Sequence, residues 1–185
     1  MSGHGHVEGS NKNIAVLIAF LAALLAICEM GAKSSQTAVL TEHVHATNQW
    51  GFFQAKTIRQ TILRTAAEEI EAQYKAQGQE LPPAMKEQVG KWRATVARYE
   101  SEPETNEGRK ELSASAIQHG KNREVARSAY HMFEYGSAAF QLAIVLASAA
   151  AVTSVVWLAF LAGGLGIAGT ALTALGFFAP TLIHL

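Results

Sequence analysis

Long apolar runs lie near both ends of this chain and enclose a polar middle. The first run, residues 14–32, is interrupted only by Glu29 and is flanked by Lys12 and Lys33. As a helix it would cover roughly 28 Å, close to the roughly 30 Å hydrocarbon core of a bilayer. We therefore predict a transmembrane helix over residues 14–32, preceded by a flexible tail over residues 1–13. Cleavage of this run as a signal peptide is the weaker alternative.

The second apolar stretch runs from residue 138 to residue 185 and contains no Lys, Arg, Asp or Glu. One continuous helix of this length would measure about 72 Å, more than twice the bilayer core. The chain must therefore turn, and the glycine-rich segment 163–166 is the predicted place. This gives transmembrane helices over residues 138–162 and 165–183, joined as a tight hairpin. A re-entrant pair that does not cross fully is the alternative.

The middle segment, residues 33–137, is predicted to be a helical stalk outside the membrane. Its first part carries an apolar stripe at helical spacing, and the proline pair at 82–83 ends that helix. The stripe consists of Ile58, Ile62, Ala66, Ile70 and Tyr74.

A second helix of the stalk carries a short seam with the 4-3 spacing of coiled coils. The seam consists of Met85, Val89, Trp92, Val96 and Tyr99. It spans only two heptads, which favours a hairpin with the preceding helix over an extended coil. A polar loop follows over residues 101–108, and a third helix from about Arg109 leads into the second membrane segment. The predicted fold class is thus all-α, with three transmembrane helices and a coiled-coil-like segment between the first and second.

The charged residues are concentrated in this middle segment. Fourteen of the fifteen Lys and Arg residues lie between Lys33 and Arg127, and the fifteen acidic residues are all Glu. Glu favours helices whereas Asp favours caps and turns. The near balance of charge argues against a nucleic-acid partner. The positive-inside rule places the stalk in the cytoplasm and the N-terminus outside, although long loops follow this rule poorly.

Residues 47–59, Thr-Asn-Gln-Trp-Gly-Phe-Phe-Gln-Ala-Lys-Thr-Ile-Arg, resemble the WxxYQAKxxR signature of a bacterial membrane family, domain of unknown function 4337. The matching signature residues are Trp50, Gln54, Lys56 and Arg59, while Phe53 stands where Tyr is common. Residues 133–136 and 143–148 resemble the second signature of the family. The resemblance covers nearly the whole chain and implies a multi-pass protein of the bacterial inner membrane. It carries over no catalytic residue.

Glu29 is the candidate polar site within the membrane. A carboxylate in a transmembrane segment is costly and by default suggests function. Glu29 ends a stripe of small residues, Ala15, Ala19, Ala22 and Ala26, that permits close helix approach. The alternative interpretation is an ion pair with Lys33 one turn later, or a side chain that reaches the headgroups.

Enzymatic and metal-binding signals are weak. Glu42 and His45 form one Glu-x-x-His, half of a di-iron signature, and no other His has a Glu three residues before it. The sequence contains no nucleotide-binding loop and no nucleophile elbow. We therefore expect no enzyme activity, no cofactor and no metal.

Two functions are consistent with these patterns. The first is a membrane-anchored structural or interaction protein that self-associates, or docks another membrane protein, through its stalk. The second is a small oligomeric channel or transporter component that uses Glu29. In both cases the expected surroundings are the lipid bilayer and further copies or another membrane protein.

Overall fold

A computed structural model describes the backbone of residues 5–182 and the side chains of residues 12–182. It contains four α-helices: α1 (Gly5–Ala76), α2 (Pro83–Glu100), α3 (Arg109–Thr153) and α4 (Val156–Phe178). No strand occurs in the described backbone, as the all-α prediction requires. Helices α1, α3 and α4 are long and apolar enough to cross a membrane.

Helix α1 is longer than the sequence pattern indicated. It begins at Gly5, so the segment predicted as a flexible tail, residues 1–13, is helical from residue 5 onward, while residues 1–4 lie outside the described part. It also continues without a break through residues 32 and 33, where the first membrane segment was predicted to end. No proline interrupts this stretch, and extending an existing helix adds one hydrogen bond for each residue that is fixed.

The turn between the last two helices lies at Ser154 and Val155, so the prediction of a break at residues 163–166 is wrong. Ser154 adopts a left-handed conformation with φ 59°, and its amide donates to the carbonyl of Ala150 at the end of α3. The residues around the turn, 152–156, are Val-Thr-Ser-Val-Val, mostly β-branched side chains of lower helix propensity. The glycines of that segment lie inside α4, and one of them, Gly166, allows α1 to approach closely, since an added Cβ would lie 2.6 Å from the side chain of Leu21.

The chain forms two compact units. Unit 1 comprises residues 1–40 and 122–185, and unit 2 comprises residues 41–121. Unit 2 is shorter than the predicted stalk, residues 33–137, because residues near Ala129 and Phe133 belong to the core of unit 1.

The core of unit 1 is built from α1, α3 and α4, and alanine dominates it. Its buried members are Ile14, Leu21, Cys28, Ala129, Phe133, Phe140, Ala143, Ala147, Ala150 and Ala162. Small residues bring the helices close together, as is usual for helices packed in membranes.

Aromatic rings fill the spaces that the glycines leave in unit 1. A Cβ built on Gly31 of α1 or on Gly176 of α4 would lie 2.8 Å from the ring of Phe133. A Cβ on Gly169 would lie 3.0 Å from the ring of Phe140. Phe133 is therefore clamped between glycines of two different helices, and neither glycine can gain a side chain without displacing the ring.

Unit 2 contains α2 together with parts of α1 and α3. Its part of α1 turns one face inward, which we call the inner face; all ten of its residues are buried or half-buried. These are Glu42, Ala46, Gln49, Phe53, Lys56, Gln60, Leu63, Ala67, Ile70 and Tyr74. Their spacing alternates between four and three residues, the pattern of a coiled-coil seam. Of the predicted stripe, Ile70 and Tyr74 lie on the inner face, whereas Ile58 and Ile62 are exposed. A strict four-residue step drifts around an α-helix, so the predicted stripe begins on an exposed face and ends on the inner face.

Candidate functional site

The most elaborate polar cluster in unit 2 joins α1 to the end of α2 and the start of α3. At its centre lies Gln60, whose side chain is only 3% exposed. Its amide nitrogen donates to the carbonyl of Val96 at 3.2 Å and to Glu100 Oε2 at 3.0 Å. Its amide oxygen accepts a hydrogen bond from Arg109 Nη1. All the polar atoms of a buried amide are therefore engaged, which offsets the cost of burying it.

Arg109, the first residue of α3, ties the three helices together. Its Nη1 lies 2.8 Å from Glu100 Oε2, and its Nε donates to Thr57 Oγ1 at 2.9 Å. The guanidinium also stacks over the ring of Phe53, 4.9 Å from the ring centre. Several donors in one rigid plane suit arginine for this role better than lysine.

Electrostatic effects in the cluster favour ionised carboxylates. The hydrogen bond from Gln60, and then the charge of Arg109, hold the pKa of Glu100 below its usual value. The pKa of Glu111 is likewise lowered, chiefly by the hydrogen bond that the Ser101 hydroxyl donates to it at 2.6 Å. Glu111 also accepts a hydrogen bond from the Glu102 amide, which fixes the loop between α2 and α3. Gly108 is buried in this loop, and an added Cβ would collide with Ser101, Glu102 and Glu111.

Lys56 connects two predicted features that lie far apart in the sequence. Its Nζ is 3.7 Å from Glu102 Oε2 and 3.4 Å from Glu107 Oε2. It also lies 5.6 Å from the centre of the Tyr99 ring, a cation–π distance. A residue of the first family signature and a residue of the predicted seam are thus brought together, and Lys56 holds the loop to α1.

The predicted seam on α2 faces α1 for most of its length. Val89 is buried, Trp92, Val96 and Tyr99 are half-buried, and Met85 is exposed. Arg93 beside the seam pairs with Glu71 of α1 at 2.5 Å. The seam therefore closes the hairpin between α1 and α2, leaving Met85 the most accessible of its five residues.

The remaining residues of the family signature are more accessible. Trp50 is exposed and packs edge-on against Phe53, with ring centres 5.4 Å apart. Gln54 and Arg59 are exposed, and within the described part of the chain neither side chain makes a hydrogen bond or ion pair.

Glu42 and His45, the single Glu-x-x-His of the sequence, lie beside one histidine that the sequence did not predict to be near them. His119 of α3 places Nδ1 2.7 Å from Glu42 Oε2, and its ring stacks on that of His45 with centres 5.1 Å apart. Among the described residues, no group of three or more His, Cys or Glu side chains is arranged to hold a metal ion.

Glu29 and Lys33 are both exposed on the surface of unit 1. No ion pair joins these two side chains in the described part of the chain. The structure therefore does not contain the Glu29–Lys33 ion pair that was the alternative interpretation of Glu29. The small residues of the same stripe, Ala15, Ala19, Ala22 and Ala26, are exposed as well.

Sequence reasoning missed Gln60 and Arg109, the two residues that organise the cluster. A signal for Gln60 exists, since an amide within an otherwise half-buried 4-3 repeat marks a position that needs polar partners. Arg109 had no such signal, because its hydrogen-bond partners lie 9 to 52 residues away in the sequence. No buried side-chain nitrogen or oxygen within the described residues lacks a hydrogen-bond partner. The cluster therefore holds three helices and a loop in one arrangement.

Comparison with known proteins gives one match. The model of the family described as "Domain of unknown function (DUF4337)" matches residues 10–179. No curated protein and no solved structure matches the chain. Since the family model covers nearly the whole sequence, this chain belongs to the DUF4337 family.

Proposed function

We propose that this chain is a membrane-anchored structural or interaction protein of the bacterial inner membrane, with unit 2 as its extramembrane, cytoplasmic part. Unit 2 would self-associate or dock another membrane protein. The observation that carries the proposal is the contrast between the inward and the outward surfaces of unit 2. The polar groups of the inward surface are hydrogen-bonded in the cluster around Gln60, yet on the outward surface Ile58 and Ile62 of α1 are each 61% exposed. Exposed apolar side chains grouped on one face are typical of interaction sites.

The proposed membrane segments follow from the observed helix ends. Helix α3 ends at Thr153, so a span of about twenty residues begins near Phe133 rather than at residue 138. Exposed Tyr135 then lies near the start of that span, and exposed Trp157 lies in the first turn of α4, just after its end. Aromatic residues with a polar group favour such positions at the membrane surface.

The native mass of the detergent-purified protein tests the proposal. A defined dimer or larger oligomer, or a stoichiometric complex with a second membrane protein, is the expected result. A monomer that stays alone both in detergent and after cross-linking in native membranes would contradict it.

A channel that uses Glu29 is the second candidate. It is supported by the exposure of Glu29 together with the small residues of its stripe, because an exposed carboxylate on a helix surface can line a pore only between several copies. In liposomes, Glu29→Gln should then change ion flux while the oligomer stays intact. Wild-type flux no greater than that of empty liposomes would rule this candidate out.

A further inference from the structure

Helix α1 within unit 2 carries a second regular face, on the side opposite the inner face. We call it the outer face; all ten of its residues are exposed, and only one of them is charged. They are Thr41, Val44, Asn48, Gly51, Ala55, Ile58, Ile62, Thr65, Glu69 and Ala72. Their spacing alternates between three and four residues over more than four heptads, which is long enough for a coiled coil. With Thr41 assigned to heptad position a and Val44 to position d, the residues of the outer face occupy positions a and d throughout. The residues of the inner face then occupy positions b and f.

We propose that the outer face binds the outer face of a second copy of this chain, forming a parallel, in-register two-stranded coiled coil over residues 41–72. The inference rests on the proposed function and specifies its self-associating form. Two copies inserted in one bilayer with the same topology present their α1 segments in the same direction, so anchoring itself favours parallel pairing.

The side chains on the outer face suit a pair of identical helices. Ile62 at an a position and Ile58 at a d position supply apolar contacts, and Gly51 and Ala55 let the backbones approach closely. Asn48 also occupies an a position, where it would face Asn48 of the second copy. A polar Asn at an a position specifies register and oligomer state at some cost in stability.

The residues beside the outer face are compatible with parallel pairing. In a parallel coiled coil, a residue at g meets the residue five positions later in the other helix. Gln54 would then meet Arg59 of the second copy, and Glu68 would meet Gln73. Gln54 and Arg59 are the signature residues that have no side-chain partner within the described chain. Glu69 is the one charged residue of the outer face, and it would meet Glu69 of the second copy near one end of the interface.

Disulfide trapping tests the interface directly. The test uses full-length protein with Cys28→Ser, held in native membranes. In it, Ile62→Cys should form a disulfide-linked dimer on mild oxidation, because residues at heptad position a of two parallel helices face each other. Ile117→Cys is a matched control, since Ile117 is 51% exposed on α3 of the same unit but does not lie on the outer face. Equal cross-linking at both positions, or none at residue 62, would overturn the proposed interface.

Charge substitutions give a second, independent readout. The double change Ile58→Lys with Ile62→Lys should raise the dissociation constant of the dimer at least about 100-fold, since two apolar side chains per copy lose their burial. Ile117→Lys should leave that constant unchanged, and Glu69→Leu should lower it by removing like-charge contact.

The outcomes separate this inference from the proposed function. An oligomer that persists in the double variant overturns the outer-face interface but leaves self-association standing. A wild-type protein that is monomeric at every concentration overturns the inference, and of the proposed function only the docking of a different protein survives. A dimer that is lost in the double variant and retained in Ile117→Lys supports both.

Discussion

Gln60 occupies a position of the inner face where an apolar residue is the usual choice. Burying an amide costs free energy unless its polar atoms are hydrogen-bonded. When they are bonded, the amide favours one register of the two helices, because sliding α1 along α2 by one turn would separate it from Val96, Glu100 and Arg109. We infer that this cluster sets the register of the hairpin in unit 2.

Replacing Arg109 should therefore loosen the loop between α2 and α3. Arg109→Ala removes the bonds to Glu100 and Thr57 and leaves the buried oxygen of Gln60 without its donor, a cost of about 1–3 kcal/mol. Amide hydrogen exchange at the end of α2 and the start of α3 should accelerate by roughly 5- to 150-fold. Arg64→Ala, at an exposed site on α1, is the control. Unchanged protection in Arg109→Ala would show that the loop is held by other contacts.

At the level of the helices, glycines in α4 have two different roles. Gly176 receives the ring of Phe133, whereas nothing lies within 4 Å of a Cβ built on Gly163 or Gly164. The first is required by packing, while the other two only lower the helix propensity of α4.

Two substitutions in α4 should separate these roles. Gly176→Ala overpacks the Phe133 clamp, with an expected cost of about 1–3 kcal/mol, offset by up to about 1 kcal/mol of gained helix propensity. Gly164→Ala should be neutral or slightly stabilising. Thermal unfolding in detergent should show a lower Tm for Gly176→Ala only. Restoration of that Tm by Phe133→Leu would identify the ring as the cause, and equal Tm values for both single variants would contradict the clamp.

The helices were more predictable from the sequence than the contacts between them. The loop at 101–108 and the start of α3 at Arg109 were correctly predicted, since polar clusters act locally. The first stalk helix was predicted to end at the proline pair 82–83, but it ends earlier, at Ala76, and Gly78 in the turn that follows has φ 65°. The turn at Ser154 was missed because glycine has opposite meanings in loops and in packed membrane helices. The residues that organise the site depend on long-range pairing, such as Gln60 with Arg109, for which a single sequence carries almost no signal.

At the level of the whole molecule, one helix determines the membrane topology. If α3 crosses the bilayer once, the loop at 101–108 and the turn at Ser154 must lie on opposite sides. Under the proposed function, the distribution of Lys and Arg predicts that the loop lies in the cytoplasm.

Labelling of single cysteines tests both statements. In a Cys28→Ser background, an impermeant maleimide applied to cells with a permeable outer envelope should label Ser154→Cys. It should label Thr105→Cys only after the inner membrane is opened. The reverse pattern would invert the orientation, and labelling of both or neither in intact cells would indicate a re-entrant pair instead.

The division of the chain into its two units has a consequence for biosynthesis. Unit 2 is continuous in sequence, whereas unit 1 is assembled from both ends of the chain. The ribosome therefore completes unit 2 before it has made any of α4. Meanwhile Leu21 and Cys28 have been synthesised long before Phe133 and Phe140, which belong to the same buried core. In water such a delay would invite aggregation, but lipid tails are as apolar as leucine, so the bilayer can shelter the first helix until its partners arrive.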